Sequence, residues 1–176
     1  MSGTRSGARV SLAREGAANV ATGLPVLDHL VAELARAARF RIALEAAPDS
    51  TGEAVSAAAQ ALGAALAERL AGDDASGLGW SFLPADEALA SAALERTDEP
   101  RFVTNVDFSD IRVGGVSEDV ATRFLGELAR TAGVNLHVRV LEGNDPQHVL
   151  AAVFKAVGAA FGQACRPAPT STEEDS

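Results

Sequence analysis

Apolar residues recur at helical spacing in four stretches of the chain. From Val26 to Ala38, Leu27, Leu30, Val31 and Leu34 share one face, and the preceding Thr22-Gly23-Leu24-Pro25 suits a turn leading to a first helical residue. Glu53 to Leu70 is rich in alanine with Val55, Leu62, Leu66 and Leu70 on a stripe, and Asp49 and Ser50 stand where caps belong. Ser117 to Thr131 repeats the spacing with Val120, Phe124, Leu125 and Leu128, and Gly133 follows as a C-terminal glycine. The fourth helix runs from Gln147 to about Cys165. Between them, Phe40 to Leu44 and Leu136 to Val140 alternate apolar and polar residues, the period of a half-buried strand. Arg101 to Phe108 reads as a further strand with Ala88 to Leu94 as its partner, and short strands are expected near Ala8 to Leu12 and Asn19 to Thr22.

The order of these elements repeats. Glu33-Leu34-Ala35-Arg36-Ala37-Ala38 returns as Glu127-Leu128-Ala129-Arg130-Thr131-Ala132, and Ala61-Leu62-Gly63-Ala64-Ala65-Leu66 returns as Ala156-Val157-Gly158-Ala159-Ala160-Phe161, at nearly the same offset. We therefore expect an α+β fold made of a duplicated half-domain, with two mixed sheets each covered by helices on one face. The halves span residues 8–75 and 78–166, Leu34 matches Leu128, and Gly63 matches Gly158. Residues 1–7 and the acidic stretch 167–176 read as disordered tails.

Composition narrows the function without naming it. The 176 residues carry 47% hydrophobic and 22% charged side chains, the balance of a globular domain. A net charge of -9 repels phosphate backbones, so no nucleic-acid partner is expected. The alanine-rich stretches are interrupted by charge before they reach the length of a bilayer span, so neither a membrane partner nor a secretory signal is expected. One cysteine, Cys165, allows no intrachain disulfide and no cysteine-based zinc site, which fits a cytoplasmic protein. The three histidines, His29, His137 and His148, fall on an early helix, a strand and the start of the last helix. Imidazole is a frequent transition-metal ligand, although an isolated histidine is more often a packed or surface residue.

The words around these histidines carry a resemblance. Thr22-Gly23-Leu24-Pro25-Val26-Leu27-Asp28-His29-Leu30 resembles the Thr-Gly-x-x-Phe-Phe-Asp-His-Met segment of imidazoleglycerol-phosphate dehydratases. Pro84-Ala85-Asp86-Glu87-Ala88-Leu89-Ala90 resembles their Pro-x-Asp-Glu-Ala-Leu-Ala segment, and Leu136-His137-Val138 their Leu-His-Ile strand. Gln147-His148-Val149-Leu150-Ala151 with Phe154-Lys155-Ala156 resembles their His-His-x-x-Glu-Ala-x-Phe-Lys-Ala helix. The resemblance covers about residues 20–165 in family order and implies a manganese-dependent lyase of histidine biosynthesis that makes imidazoleacetol phosphate. It further implies metal sites formed between subunits of a large shell. On this resemblance His29, His137 and His148 are metal ligands, Asp86, Glu87 and Lys155 bind substrate, and the ligand is an imidazole phosphate.

The departures bear on the chemistry. Each half of the family carries a His-His-x-x-Glu helix, whose spacing lets ligands on one face reach one ion. The first is replaced here by Gly52-Glu53-Ala54-Val55-Ser56, and the second keeps His148 but has Gln147 and Ala151 in the other places. Thr97-Asp98-Glu99-Pro100 stands where the family has Ser-Gly-Arg-Pro, so a carboxylate replaces the arginine that grips phosphate. Gly79-Trp80-Ser81 replaces an Arg-Phe-Gly segment, the C-terminal Ser-x-x-Lys-Gly segment has no counterpart, and Arg14-Glu15 is only a relic of an N-terminal element. Three imidazoles without carboxylates suit one late transition metal better than paired manganese ions, and the cofactor expectation is manganese by resemblance or none. By setting alone, Asp86 and Glu87 also suit a turn and helix start, Lys155 a solvated helix position, Trp80 and Phe82 a core or interface, and Cys165 a buried small hydrophobe. Three readings follow: a divergent dehydratase, a non-catalytic subunit that assembles with itself or an active relative, and a binding module for another imidazole-like or metal-bound molecule.

Overall fold

In the computed structural model, which describes residues 6–46, 51–108 and 119–169, the helical stripes become four helices: α1 Pro25–Ala38, α2 Thr51–Leu70, α3 Val120–Ala132 and α4 Pro146–Ala164. The strands are β1 Gly7–Leu12, β2 Ala17–Ala21, β3 Phe40–Glu45, β4 Leu78–Ala85, β5 Ala88–Arg96, β6 Arg101–Thr104 and β7 Val134–Glu142. The expected caps Asp49 and Ser50 and the expected helix start at Ser117 lie outside the described residues. Instead α3 starts after Asp119, whose carboxylate accepts the Thr122 N–H at 2.9 Å, and it stops at Gly133 with φ +74.

Two sheets form, with strand orders β1-β3-β2 and β4-β5-β7-β6. In the first, β1 runs antiparallel and β2 parallel to β3; in the second, β5 runs antiparallel and β6 parallel to β7. The two halves therefore share the unit strand, strand, helix, strand, helix, and β4 is an added edge strand. The cross-half contacts repeat as well. A Cβ on Gly158 would stand 2.2 Å from the Leu34 carbonyl oxygen, and one on Gly63 would stand 3.2 Å from the Leu128 carbonyl oxygen. Thus α4 packs on α1 as α2 packs on α3, and the four helices lie between the sheets.

The strand pairing departs from the sequence reading in one place. Ala88 to Leu94 is not the partner of Arg101 to Phe108, because β7 lies between β5 and β6. Successive strands pair readily when a tight turn joins them, but β6 reaches β7 through the α3 crossover, which makes that pair parallel. Strand β6 also ends at Thr104.

The core is the shared helix layer and the inner sheet faces. Leu27, Leu34, Leu62, Leu66, Phe124, Leu128, Phe154 and Phe161 are fully buried. Cys165 joins them, and burial pushes its thiol up to about 11. Arg166 closes the C-terminal ends of α1 and α4. Its guanidinium donates to the carbonyls of Ala38, Gly162 and Arg39 at 2.7–2.8 Å, so one cation meets the negative ends of two helix dipoles. Among the described residues, no helix is long and apolar enough to cross a membrane.

Candidate functional site

The entrance to α1 is fixed by its own sequence. Thr22 is fully buried, its hydroxyl donates to Asp28 Oδ1 at 2.5 Å, and its N–H donates to the same oxygen at 3.1 Å. The Leu24 N–H donates back to the Thr22 hydroxyl at 3.2 Å. Asp28 thus braces the turn before the helix from within the first turn, as the positive end of the helix dipole favours. The next residue, His29, points outward with its side chain 64% exposed and Nε2 3.8 Å from Glu33 Oε1. Glu33 also pairs with Arg36.

His137 lies in the middle of β7. Leu136 and Val138 on either side of it are buried toward the helices, so the strand alternation puts His137 on the outer, solvent face. Its neighbours across the sheet are Ala93 and Val103. It lines an open depression of about 240 Å³ with Leu78, Glu95 and Asn135.

His148 occupies a third place, in the first turn of α4. Asp145 caps that helix by accepting the Gln147 N–H at 2.8 Å, and Pro146 supplies the first turn. Asp86 and Glu87 form the tight turn between β4 and β5, with Asp86 at φ +50, and this turn lies beside the α4 entrance. Glu87 Oε1 accepts the Asp145 and Asn144 N–H groups at 2.8 and 3.3 Å, while Oε2 meets His148 Nδ1 at 2.5 Å. Asp86 Oδ2 lies 3.3 Å from His148 Nε2. The Asp145 N–H first, and the His148 ring second, hold the Glu87 carboxyl at about 2, and the bond to Glu87 raises the imidazole above its ordinary value. Two turns along α4, Lys155 Nζ donates to the Pro84 carbonyl at 2.6 Å.

The structure therefore gathers Asp86, Glu87 and His148 at one hairpin tip and ties Lys155 to the strand leading into it. It does not bring His29 or His137 to that point. Asp86 and Glu87 meet opposite ring nitrogens of His148 rather than converging with it on one point, and among the described residues of the single chain no three His, Cys, Asp or Glu side chains are grouped so as to hold a metal ion. Of the two settings expected for Asp86 and Glu87, a turn and a helix start, the structure shows the turn, and no helix follows it. Trp80 and Phe82 are 63% and 58% exposed, so they do not fill the core.

At the start of α2, Ser56 Oγ donates to Glu127 Oε1 of α3 at 3.0 Å, and the other oxygen of Glu127 is buried without a hydrogen bond among the described residues. The Ser56–Glu127 pair escaped the sequence reading because its members are far apart along the chain. In the segment that the resemblance aligns with a phosphate-binding one, Glu99 is 84% exposed and lies 3.8 Å from Arg101.

Comparison with known proteins agrees with this architecture. A family model described as imidazoleglycerol-phosphate dehydratase matches residues 22–161. The imidazoleglycerol-phosphate dehydratase of Pelobacter propionicus is 34% identical over 94% of this chain and 87% of its own length. That of Clostridium botulinum strain Kyoto is also 34% identical, over 88% and 81%. The crystal structure of the Staphylococcus aureus enzyme superimposes with a TM-score of 0.83 at 20% identity, covering 94% of this chain and 95% of that one. The Pyrococcus furiosus structure, in complex with (S)-C348, gives 0.79 at 21% identity over 99% and 97%. On these matches, the chain belongs to the imidazoleglycerol-phosphate dehydratase family.

Proposed function

We propose that this protein keeps the family scaffold without the dehydration chemistry, and serves histidine biosynthesis in the cytosol as a non-catalytic assembly or regulatory subunit, with itself or with an active relative. The observation that carries this reading is the pair of helix positions where the resemblance places a metal-binding glutamate. One holds Ser56, whose hydroxyl donates to Glu127, and the other holds Ala151, so neither helix offers a carboxylate there. The donors that remain fit manganese poorly. The resemblance leaves three imidazoles, His29, His137 and His148, as metal ligands, whereas manganese prefers some oxygen donors, and both ring nitrogens of His148 are already engaged by Asp86 and Glu87.

Dehydration removes a weakly acidic carbon-bound proton and expels hydroxide, so the developing anion must be stabilised by fixed charge. Each missing stabiliser costs about 10²- to 10³-fold in rate, and several are missing together. The competing reading, a divergent dehydratase using manganese or one late transition metal, is favoured by the 34% identity to proteins of that name.

Complementation of a histidine auxotroph lacking the dehydratase distinguishes the two. We expect no growth, with no manganese uptake in a metal titration. Robust growth that His148→Ala abolishes would show an active enzyme and overturn this reading.

A further inference from the structure

Strand β4 is the outer edge of its sheet, and its sequence is poorly suited to an open edge. Leu78, Trp80 and Phe82 alternate along it with 58–63% exposure, an apolar ribbon of the kind that pairs with a second copy of itself. Because strand residues alternate, Leu78, Trp80, Phe82 and Pro84 present their backbone groups to the same side. The Trp80 hydrogen bonds identify that side as the one turned away from β5.

The side is largely closed. Gln163 of α4 acts as a short stand-in for another strand: its Oε1 accepts the Trp80 N–H at 3.1 Å and its Nε2 donates to the Trp80 carbonyl at 2.8 Å. The Ser76 hydroxyl meets the Leu78 N–H and carbonyl at 3.4 and 3.1 Å. Pro84 has no N–H, and Lys155 covers its carbonyl at 2.6 Å. The helix can reach around the edge because it lies almost on the strand. A Cβ on Gly79 would stand 1.9 Å from the Ala160 carbonyl oxygen, and Ser81 Oγ donates to the Ala156 carbonyl at 2.6 Å.

We propose that α4 straps the open edge of β4, with Gln163 as its central clasp, and that the strap prevents β4 from pairing edge to edge with β4 of a second copy. The inference concerns assembly and does not depend on whether the protein catalyses dehydration.

The test compares wild type with Gln163→Ala by amide hydrogen exchange at Trp80, and by turbidity and thioflavin T binding at high concentration. We expect Trp80 exchange to quicken by roughly tenfold, the scale of one or two lost hydrogen bonds, and thioflavin-positive aggregate to appear. The double variant Gln163→Ala with Phe82→Pro removes the next edge-facing N–H and should stay soluble. Unchanged exchange at Trp80 overturns the proposal, and so does a Gln163→Ala protein that exchanges faster at Trp80 yet forms no thioflavin-positive aggregate. So does aggregation that Phe82→Pro fails to suppress, since that aggregate would come from unfolding rather than edge pairing.

Discussion

At the scale of single residues, the clasp at the α4 entrance makes a pH-dependent claim. Glu87 is held at about 2, below its ordinary 4.5, so its contribution is complete above 4.5 and is lost as pH falls through about 2. His148 is raised above its ordinary 6.5, so its contribution is complete below 6.5 and is lost as pH rises through the raised value. The hairpin tip and the α4 entrance are therefore tied most firmly between about pH 4.5 and 6.5. Both side chains are partly exposed, so the effect is local and does not set global stability. A proton NMR titration should place the His148 midpoint above 6.5, and Glu87→Gln should move it back toward that value. A midpoint at or below 6.5 in wild type, or no movement in the variant, would show that Glu87 does not hold the ring.

At the scale of elements, the glycine contacts rank the two helix pairs. At Gly158 an added methyl meets the backbone of Leu34 at 2.2 Å, and backbone cannot swing aside. At Gly63 the nearest atom is the Thr131 Cβ at 2.7 Å and the backbone is 3.2 Å away, so a smaller shift suffices. Gly158→Ala should therefore cost about 1–3 kcal/mol by forcing α1 and α4 apart, and Gly63→Ala less. Urea midpoints of the two variants check this order, and a larger loss at Gly63 contradicts it. The repeat that pairs these glycines was legible because helix contacts leave a periodic trace, as did the stripes of α1, α3 and α4. Strand β4 was not legible, since its pattern is inverted: Gly79 and Ser81 face the helices while Trp80 and Phe82 face out. The insertion of β7 between β5 and β6 left no local trace either, because only the α3 crossover decides it. The candidate residues were read from words in the sequence. Their partners were not, since His148 and Glu87, or Ser56 and Glu127, meet only through the fold.

At the scale of the whole molecule, the two outer sheet faces differ. On the first sheet the outward residues of β3 are Arg41, Ala43 and Glu45, with Arg9, Ser11, Ala17, Asn19 and Ala21 beside them, a polar and shallow surface. On the second sheet Leu78, Trp80 and Phe82 line β4 at 58–63% exposure, with Val103 and Leu141 exposed farther across and Glu95, His137 and Arg139 between them, so the apolar part of this face that solvent disfavours is the β4 row. With the β4 edge strapped, association through this sheet uses its face. Metal that bridges subunits adds its binding energy to an assembly, and Ser56 and Ala151 offer no carboxylate at the two positions where the resemblance places a metal-binding glutamate. The expected particle is therefore a small oligomer, a trimer rather than a large shell, whose mass by light scattering does not rise when manganese is added. Trp80→Lys places a charge on the face without touching the buried core, so it should shift the mass toward the monomer while the thermal midpoint of the fold stays close to wild type. A wild-type monomer at high concentration, or a Trp80→Lys protein of unchanged mass, would place the contact elsewhere on the molecule.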